Sequence, residues 1–255
     1  MRTMTARATV LGIPIDRVSL REAAEKVESW IAARPGRPRV IVTPNAEIVY
    51  AAQTDRELWG ILQKADLMVP DGIGVVWASK RLGEPVPEKV SGVDLASELM
   101  ARFSRTGRGI YLFGGKPGVA EAAASRLRET FPGLRIVGHH HGYFKPEEEA
   151  GLVEEINRAA PDLLFVCLGS PKQEKWIWRN QDRLDVPAAI GLGGSLDIWA
   201  GIVQLSPEFI RRAGLEWLHR LIREPRRFKR QLALPRFALA VLRHGRNPVR
   251  RPDER

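Results

Sequence analysis

Six short runs rich in Val, Ile and Leu recur along the chain, at residues 39–43, 67–69, 109–113, 134–137, 163–168 and 188–192, with helical patterns between them. Several of these runs are almost uninterrupted by polar residues, which is the pattern of strands covered on both faces. Strands separated by helices pair most readily in parallel, because the helix carries the chain back to the starting edge. The alternation therefore predicts a layered, Rossmann-like α/β sandwich with a largely parallel sheet. Helix starts are marked in several places. Ser19 with Glu22 and Thr54 with Glu57 have capping-box spacing, and Pro117 and Pro146 suit first-turn positions. Glu147, Glu148 and Glu149 follow Pro146, where the helix dipole favours anions. Pro132-Gly133 and Pro161-Asp162 punctuate returns from helix to strand.

Charge divides the chain. Of its 255 residues, 40 are Lys or Arg and 30 are Asp or Glu, a net +10. Residues 211–255 hold 14 of the basic and four of the acidic residues, so this segment alone carries +10 and the remainder sums to zero. A neutral α/β domain over residues 1–205 with a basic helical appendage over 206–255 is the organisation this implies. The appendage is suited to phosphates, whether on a lipid headgroup, a substrate diphosphate or a nucleic acid. The single cysteine, Cys167, lies in an apolar run and reads as a buried thiol, and with no second cysteine there is no internal disulfide. The sequence shows no secretory signal and no apolar stretch long enough to span a membrane.

Ligands of parallel sheets bind at the carboxyl ends of the strands. The residues just after each run are therefore informative: Thr43-Pro44-Asn45-Ala46-Glu47, Pro70-Asp71-Gly72-Ile73-Gly74, Gly114-Gly115-Lys116-Pro117-Gly118, His139–His141, Gly169-Ser170-Pro171-Lys172-Gln173-Glu174, and Gly193-Gly194-Ser195-Leu196-Asp197. Glycines at 114, 115 and 118 would let backbone amides approach a phosphate, or form an ordinary tight turn. Gly193 and Gly194 have the same logic, with Asp197 either accepting bonds from a nucleotide or simply capping a helix. Asp71 is a candidate general base flanked by glycine, or an N-cap for the helix after it. Glu174 fits a helix first turn, and Gln173 beside it is either functional or exposed. The three histidines lack an acidic or thiol partner at metal-binding spacing. No Asp-x-Asp occurs in the chain, so a bound diphosphate would rely on glycine amides and Arg.

In the appendage, Leu215, Leu218, Leu221 and Ile222 form an apolar stripe at helical spacing, with Trp217 near one edge. Arg220, Arg223, Arg227 and Arg230 make a basic ridge beside it. This suits an anionic membrane surface, or a helix docked on the body with its basic face in water. Residues 232–242 are a further apolar segment, too short to span. Nucleic-acid binding is the rival use of the charge, but no reader motif is present and the rim would be unexplained. A sugar-nucleotide binding module without catalysis is another alternative.

Taken in order, Thr43-Pro44-Asn45, Pro70-Asp71-Gly72-Ile73-Gly74, Ser91-Gly92-Val93-Asp94-Leu95, Leu112-Phe113-Gly114-Gly115, Gly169-Ser170-Pro171-Lys172-Gln173-Glu174, Gly193-Gly194 and Glu216-Trp217-Leu218-His219-Arg220-Leu221 resemble the WecG/TagA/CpsF glycosyltransferases, glycosyltransferase family 26. The resemblance covers about residues 9–230. It implies an inverting, metal-independent transfer of a sugar from a UDP-sugar to a polyprenyl-diphosphate-linked saccharide in cell-surface polysaccharide synthesis. The sugar would be N-acetylmannosamine, its uronic acid or glucose, and no cofactor is implied. Asp71 would be the catalytic base, with Thr43, Asn45 and Gln173 lining the sugar pocket. Arg220, Arg227 and Arg230 would close over the donor diphosphate, and Gly114, Gly115, Gly169, Gly193, Gly194 and Asp197 would form the nucleotide side. Lys89 stands where the family commonly has Arg, keeping the charge without the bidentate geometry. The resemblance further implies a protein at the cytoplasmic face of the plasma membrane, self-associating and without a nucleic-acid partner.

Overall fold

The computed structural model describes residues 6–207, 210, 217, 218, 221 and 232–249. All six expected strands form: β3 (Arg39–Val42), β4 (Leu67–Met68), β5 (Gly109–Gly114), β6 (Arg135–His140), β7 (Leu163–Cys167) and β8 (Ala188–Gly191). They make one sheet in the order β4-β3-β8-β7-β5-β6, and every pairing is parallel. The strand β6 runs on to His140, so His139 and His140 belong to the strand and not to the loop after it.

Strand residues alternate between two separate cores. Val40, Val42, Tyr111, Phe113, Leu164, Val166 and Ala189 face one side. Ile41, Ile110, Leu112, Leu163, Phe165, Ala188 and Ile190 face the other. This is why the runs read as continuous: with both faces covered, neither set of alternate residues can be polar. The second face is covered by α1 (Leu20–Ala33), α5 (Gly92–Thr106) and α6 (Val119–Thr130). The first face is covered by α2 (Ala46–Ala51), α3 (Arg56–Lys64), α4 (Ile73–Arg81), α7 (Glu149–Ala159) and α8 (Lys172–Asn180). A short α9 (Ser195–Trp199) follows β8.

The helix starts differ in part from the sequence reading. Ser19 and Glu22 form the expected capping box of α1. The α3 cap is Asp55, whose side chain accepts the Leu58 amide at 3.0 Å, while Thr54 Oγ1 donates to the Ala51 carbonyl. Asp reaches the orphan amide directly, so the box spacing one residue earlier is left unused. Gly118 occupies the α6 N-cap, which places Pro117 outside the helix. Pro146 does take a first-turn position, in a 3₁₀ turn, Pro146–Glu148, that leads into α7.

An antiparallel hairpin, β1 (Arg7–Val10) and β2 (Ile13–Asp16), was not evident from the sequence. Leu11 and Gly12 form its turn, both with positive φ, at 49° and 78°. Their amides donate to the carbonyls of Gly245 and Arg246, at 3.2 and 2.6 Å. Those acceptors follow α10 (Ala233–His244), the part of the expected appendage that the structure describes as a helix. In α10, Phe237, Ala240 and Val241 recur at helical spacing and are buried in the first core, where α10 packs on α2 and α4. The apolar segment 232–242 is thus a docked helix. Among the described residues, no helix is long and apolar enough to cross a membrane.

Candidate active site

The carboxyl ends of β3, β4, β7 and β8 converge on one cleft of about 360 Å³. Backbone hydrogen bonds knit its loops together. The Asp71 amide donates to the Pro44 carbonyl at 3.2 Å, and the Val90 amide to the Pro70 carbonyl at 2.9 Å. These two bonds gather the segments carrying Thr43, Asn45, Asp71 and Lys89 into one wall, and all four residues line the cleft. Gly92 permits the close approach of α5, since a Cβ there would lie 3.3 Å from the Thr43 side chain and 3.2 Å from Leu192.

Each expected polar residue is held in a definable way. Thr43 is buried and its hydroxyl donates to the Gly191 carbonyl at 3.3 Å, tying β3 to β8. Asn45 caps α2, its Oδ1 accepting the Ile48 amide at 3.0 Å, so Nδ2 is the end that can serve a ligand. Asp71 does not occupy the α4 N-cap. That position is Gly72, at φ 81°, which places Asp71 one residue outside the helix on the cleft wall. The N-cap of α9 is Gly194, with Asp197 in the first turn and also on the cleft wall.

Gln173 is only 2% exposed, not a solvent-facing residue. Its Oε1 accepts the Gly193 amide at 2.8 Å, and its Nε2 donates to Glu174 Oε1, also at 2.8 Å. Glu174 is more deeply buried still, and its Oε2 has no hydrogen-bond partner. Burial pushes the Glu174 carboxyl above the usual range, opposed by hydrogen bonds from Gln173, its own amide and Ser170. Burial likewise pushes the Cys167 thiol up to about 12, so it is protonated and unreactive at neutral pH.

Gly169, Gly193 and Gly194 line the cleft, whereas Gly114 and Gly115 do not. They lie one strand away, where the Gly115 amide meets the Cys167 carbonyl at 3.3 Å. Gly114, at φ 133°, is pressed so closely on Cys167 that an added Cβ would sit 2.3 Å from its carbonyl oxygen. Arg220, Arg227 and Arg230 lie outside the described residues. The histidines line a separate small hollow beside the start of α6, where the His140 ring packs on Phe113 and its Nδ1 meets the His141 carbonyl at 2.7 Å. Among the described residues no group of His, Cys, Asp or Glu is placed to hold a metal ion.

The cleft also includes residues that were not singled out as site residues. Glu47, Ser91, Ser170 and Ser195 add polar groups, and Trp217 and Leu234 add apolar surface from the appendage. The first four stand in segments already singled out along the rim or in the family motifs. Leu234 carried no signal, because its contact depends on where α10 docks.

A family model described as Glycosyl transferase WecG/TagA/CpsF family matches residues 8–251. The chain belongs to this glycosyltransferase family. The chain is similar to a protein from Bacillus spizizenii, 36% identical over 206 residues, covering 81% of this chain and 79% of the relative. Another, from Staphylococcus aureus, is 31% identical over 245 residues, 96% of each chain. Both are named N-acetylglucosaminyldiphosphoundecaprenol N-acetyl-beta-D-mannosaminyltransferase. As a WecG/TagA/CpsF protein the chain is a glycosyltransferase, and the cleft that gathers the residues of its motifs is its candidate active site.

Proposed function

We propose that this protein transfers N-acetylmannosamine from a UDP-sugar to an N-acetylglucosamine carried on undecaprenyl diphosphate, with inversion at the anomeric carbon and without a metal ion. The carrying observation is the convergence of Asp71, Thr43, Asn45 and Gln173 on one cleft at the carboxyl edge of the sheet. The names of the relatives support the choice of sugar and acceptor.

In this reading, Asp71 accepts the proton of the acceptor hydroxyl as that oxygen bonds to the anomeric carbon. The bond from that carbon to the β-phosphate oxygen breaks, and UDP leaves with the electron pair. Thr43, Asn45 and Gln173 orient the donor sugar, and the Gly193–Gly194 turn presents amides to the nucleotide. Charge on the departing diphosphate falls to Lys89 and to Arg220, Arg227 and Arg230 of the basic appendage. The net +10 of residues 211–255 would also hold the enzyme peripherally on the anionic cytoplasmic face of a membrane, where its acceptor resides.

UDP release from UDP-N-acetylmannosamine, with and without a prenyl-diphosphate-linked N-acetylglucosamine, tests the proposal. Release should depend on the acceptor. Asp71→Asn should lower kcat by about 10²–10⁴ while UDP still binds. An Asp71→Asn enzyme turning over at the wild-type rate would remove Asp71 as the base.

A further inference from the structure

Glu174 takes no part in the transfer as proposed, yet it is among the most deeply buried ionisable groups beside the cleft. A Glu in the first turn of a helix is favoured by the dipole whether or not it is buried, so the dipole does not account for the burial. Removing a carboxyl from water is costly unless its contacts repay it. Its contacts are specific. Glu174 Oε1 accepts from Gln173 Nε2 at 2.8 Å.

The Gln173 carboxamide is held at both ends. The Gly193 amide can only donate, so Gln173 must present its oxygen there and turn its nitrogen toward Glu174. A flipped carboxamide would set two donors against each other at Gly193 and two acceptors against each other at an ionised Glu174. Gly191 completes the arrangement, because any Cβ there would stand 2.6 Å from Gln173 Nε2. Gly193 itself is at φ 58° and lines the cleft.

We propose that Glu174 is a positioning residue: by holding Gln173 Nε2 it fixes the carboxamide that, through Oε1, holds the Gly193 turn on the donor side of the cleft. The chain of contacts runs Glu174, Gln173, Gly193, and of these Glu174 alone is absent from the cleft wall. Its consequence for turnover rests on the donor reading given under Proposed function. Its consequence for the turn does not.

The test compares Glu174→Ala and Glu174→Gln in the full chain, by amide-resolved hydrogen exchange and by steady-state kinetics. Gln at 174 keeps a carbonyl acceptor, and Ala does not. In Glu174→Ala the Gly193 amide should exchange at least about tenfold faster, the equivalent of one lost hydrogen bond. The donor KM should rise by about tenfold for the same reason, with the acceptor KM unchanged. Glu174→Gln should return both to within about threefold of wild type. Wild-type exchange at Gly193 in Glu174→Ala would overturn the proposal, as would faster exchange there with a wild-type donor KM. Exchange raised equally across β7 and β8 in both variants would also overturn it, leaving Glu174 a packing role alone. If the wild-type protein turned over no UDP-sugar, the donor reading would fail separately, and exchange at Gly193 would still decide whether Glu174 holds the turn.

Discussion

Gly191→Ala is the smallest change that should disturb this site. Gly191 lies in β8 without a positive φ, so alanine meets no backbone penalty there. The added Cβ would stand 2.6 Å from Gln173 Nε2, 3.0 Å from Cδ and 3.1 Å from Cγ. A glutamine usually yields to such a collision by swinging away. Gln173 cannot do so freely, because it is 2% exposed and bonded at both ends. Relieving the overlap should cost about 1–3 kcal/mol in strain. Losing the bond to Glu174 leaves a buried carboxyl without its donor, about 1–3 kcal/mol more. The Gly193 amide is half-buried and can recover water, so it adds little. A loss of about 2–6 kcal/mol is expected, against the roughly 5–15 kcal/mol stability of a domain, so a domain of ordinary stability should still fold with it. Urea unfolding measures the loss, and the donor KM should rise in parallel. Gly194→Ala is the stability control, because its Cβ would meet only Asp197 Oδ2 at an ordinary 3.7 Å. Gly191→Ala with stability within about 0.5 kcal/mol of wild type and an unaltered donor KM would show that Gln173 is not fixed, and the reasoning would fail.

Two further outcomes rest on burial. Phe237→Ala in α10 should cost about 3–5 kcal/mol, because its ring is 1% exposed in the first core, whereas Leu239→Ala, 47% exposed on the same helix, should stay within about 0.5 kcal/mol. Equal effects in urea unfolding would mean that α10 is not docked as described. The second concerns pH. Burial raises the Glu174 carboxyl above its ordinary 4.5, so as pH climbs past that value the unfolded chain loses its proton before the folded one does. Wild-type stability is therefore lost progressively from about pH 4.5 up to the folded pKa, and Gln at 174 has no such loss. The stability of Glu174→Gln relative to wild type should grow over that window, and a difference independent of pH would contradict the burial argument.

All six parallel strands were legible because burial on both faces leaves a local trace, an uninterrupted apolar run, that needs no knowledge of neighbours. The cleft residues Thr43, Asn45 and Asp71 were legible because a parallel sheet puts every strand's carboxyl end on one rim, so order along the chain predicts proximity in space. The hairpin at residues 7–16 was not. Its strands are four residues each, and it is held by the carbonyls of Gly245 and Arg246, more than 200 residues away. Nor could the sequence tell that Asn45 spends Oδ1 on a helix cap, or that Gln173 is buried.

What the sequence determined by itself is whatever depends on period and composition: the layered α/β sheet, the polar, glycine-rich rim, the net charge concentrated in residues 211–255, and the family motifs. Only the tertiary structure decided which rim loops share a cleft. It separates Gly114 and Gly115 from that cleft, brings Leu234 of α10 to it, and sets Glu174 behind Gln173. These are choices among loops and faces that are equally polar or equally apolar, and they are settled by strand order and helix docking, which no local run of residues encodes.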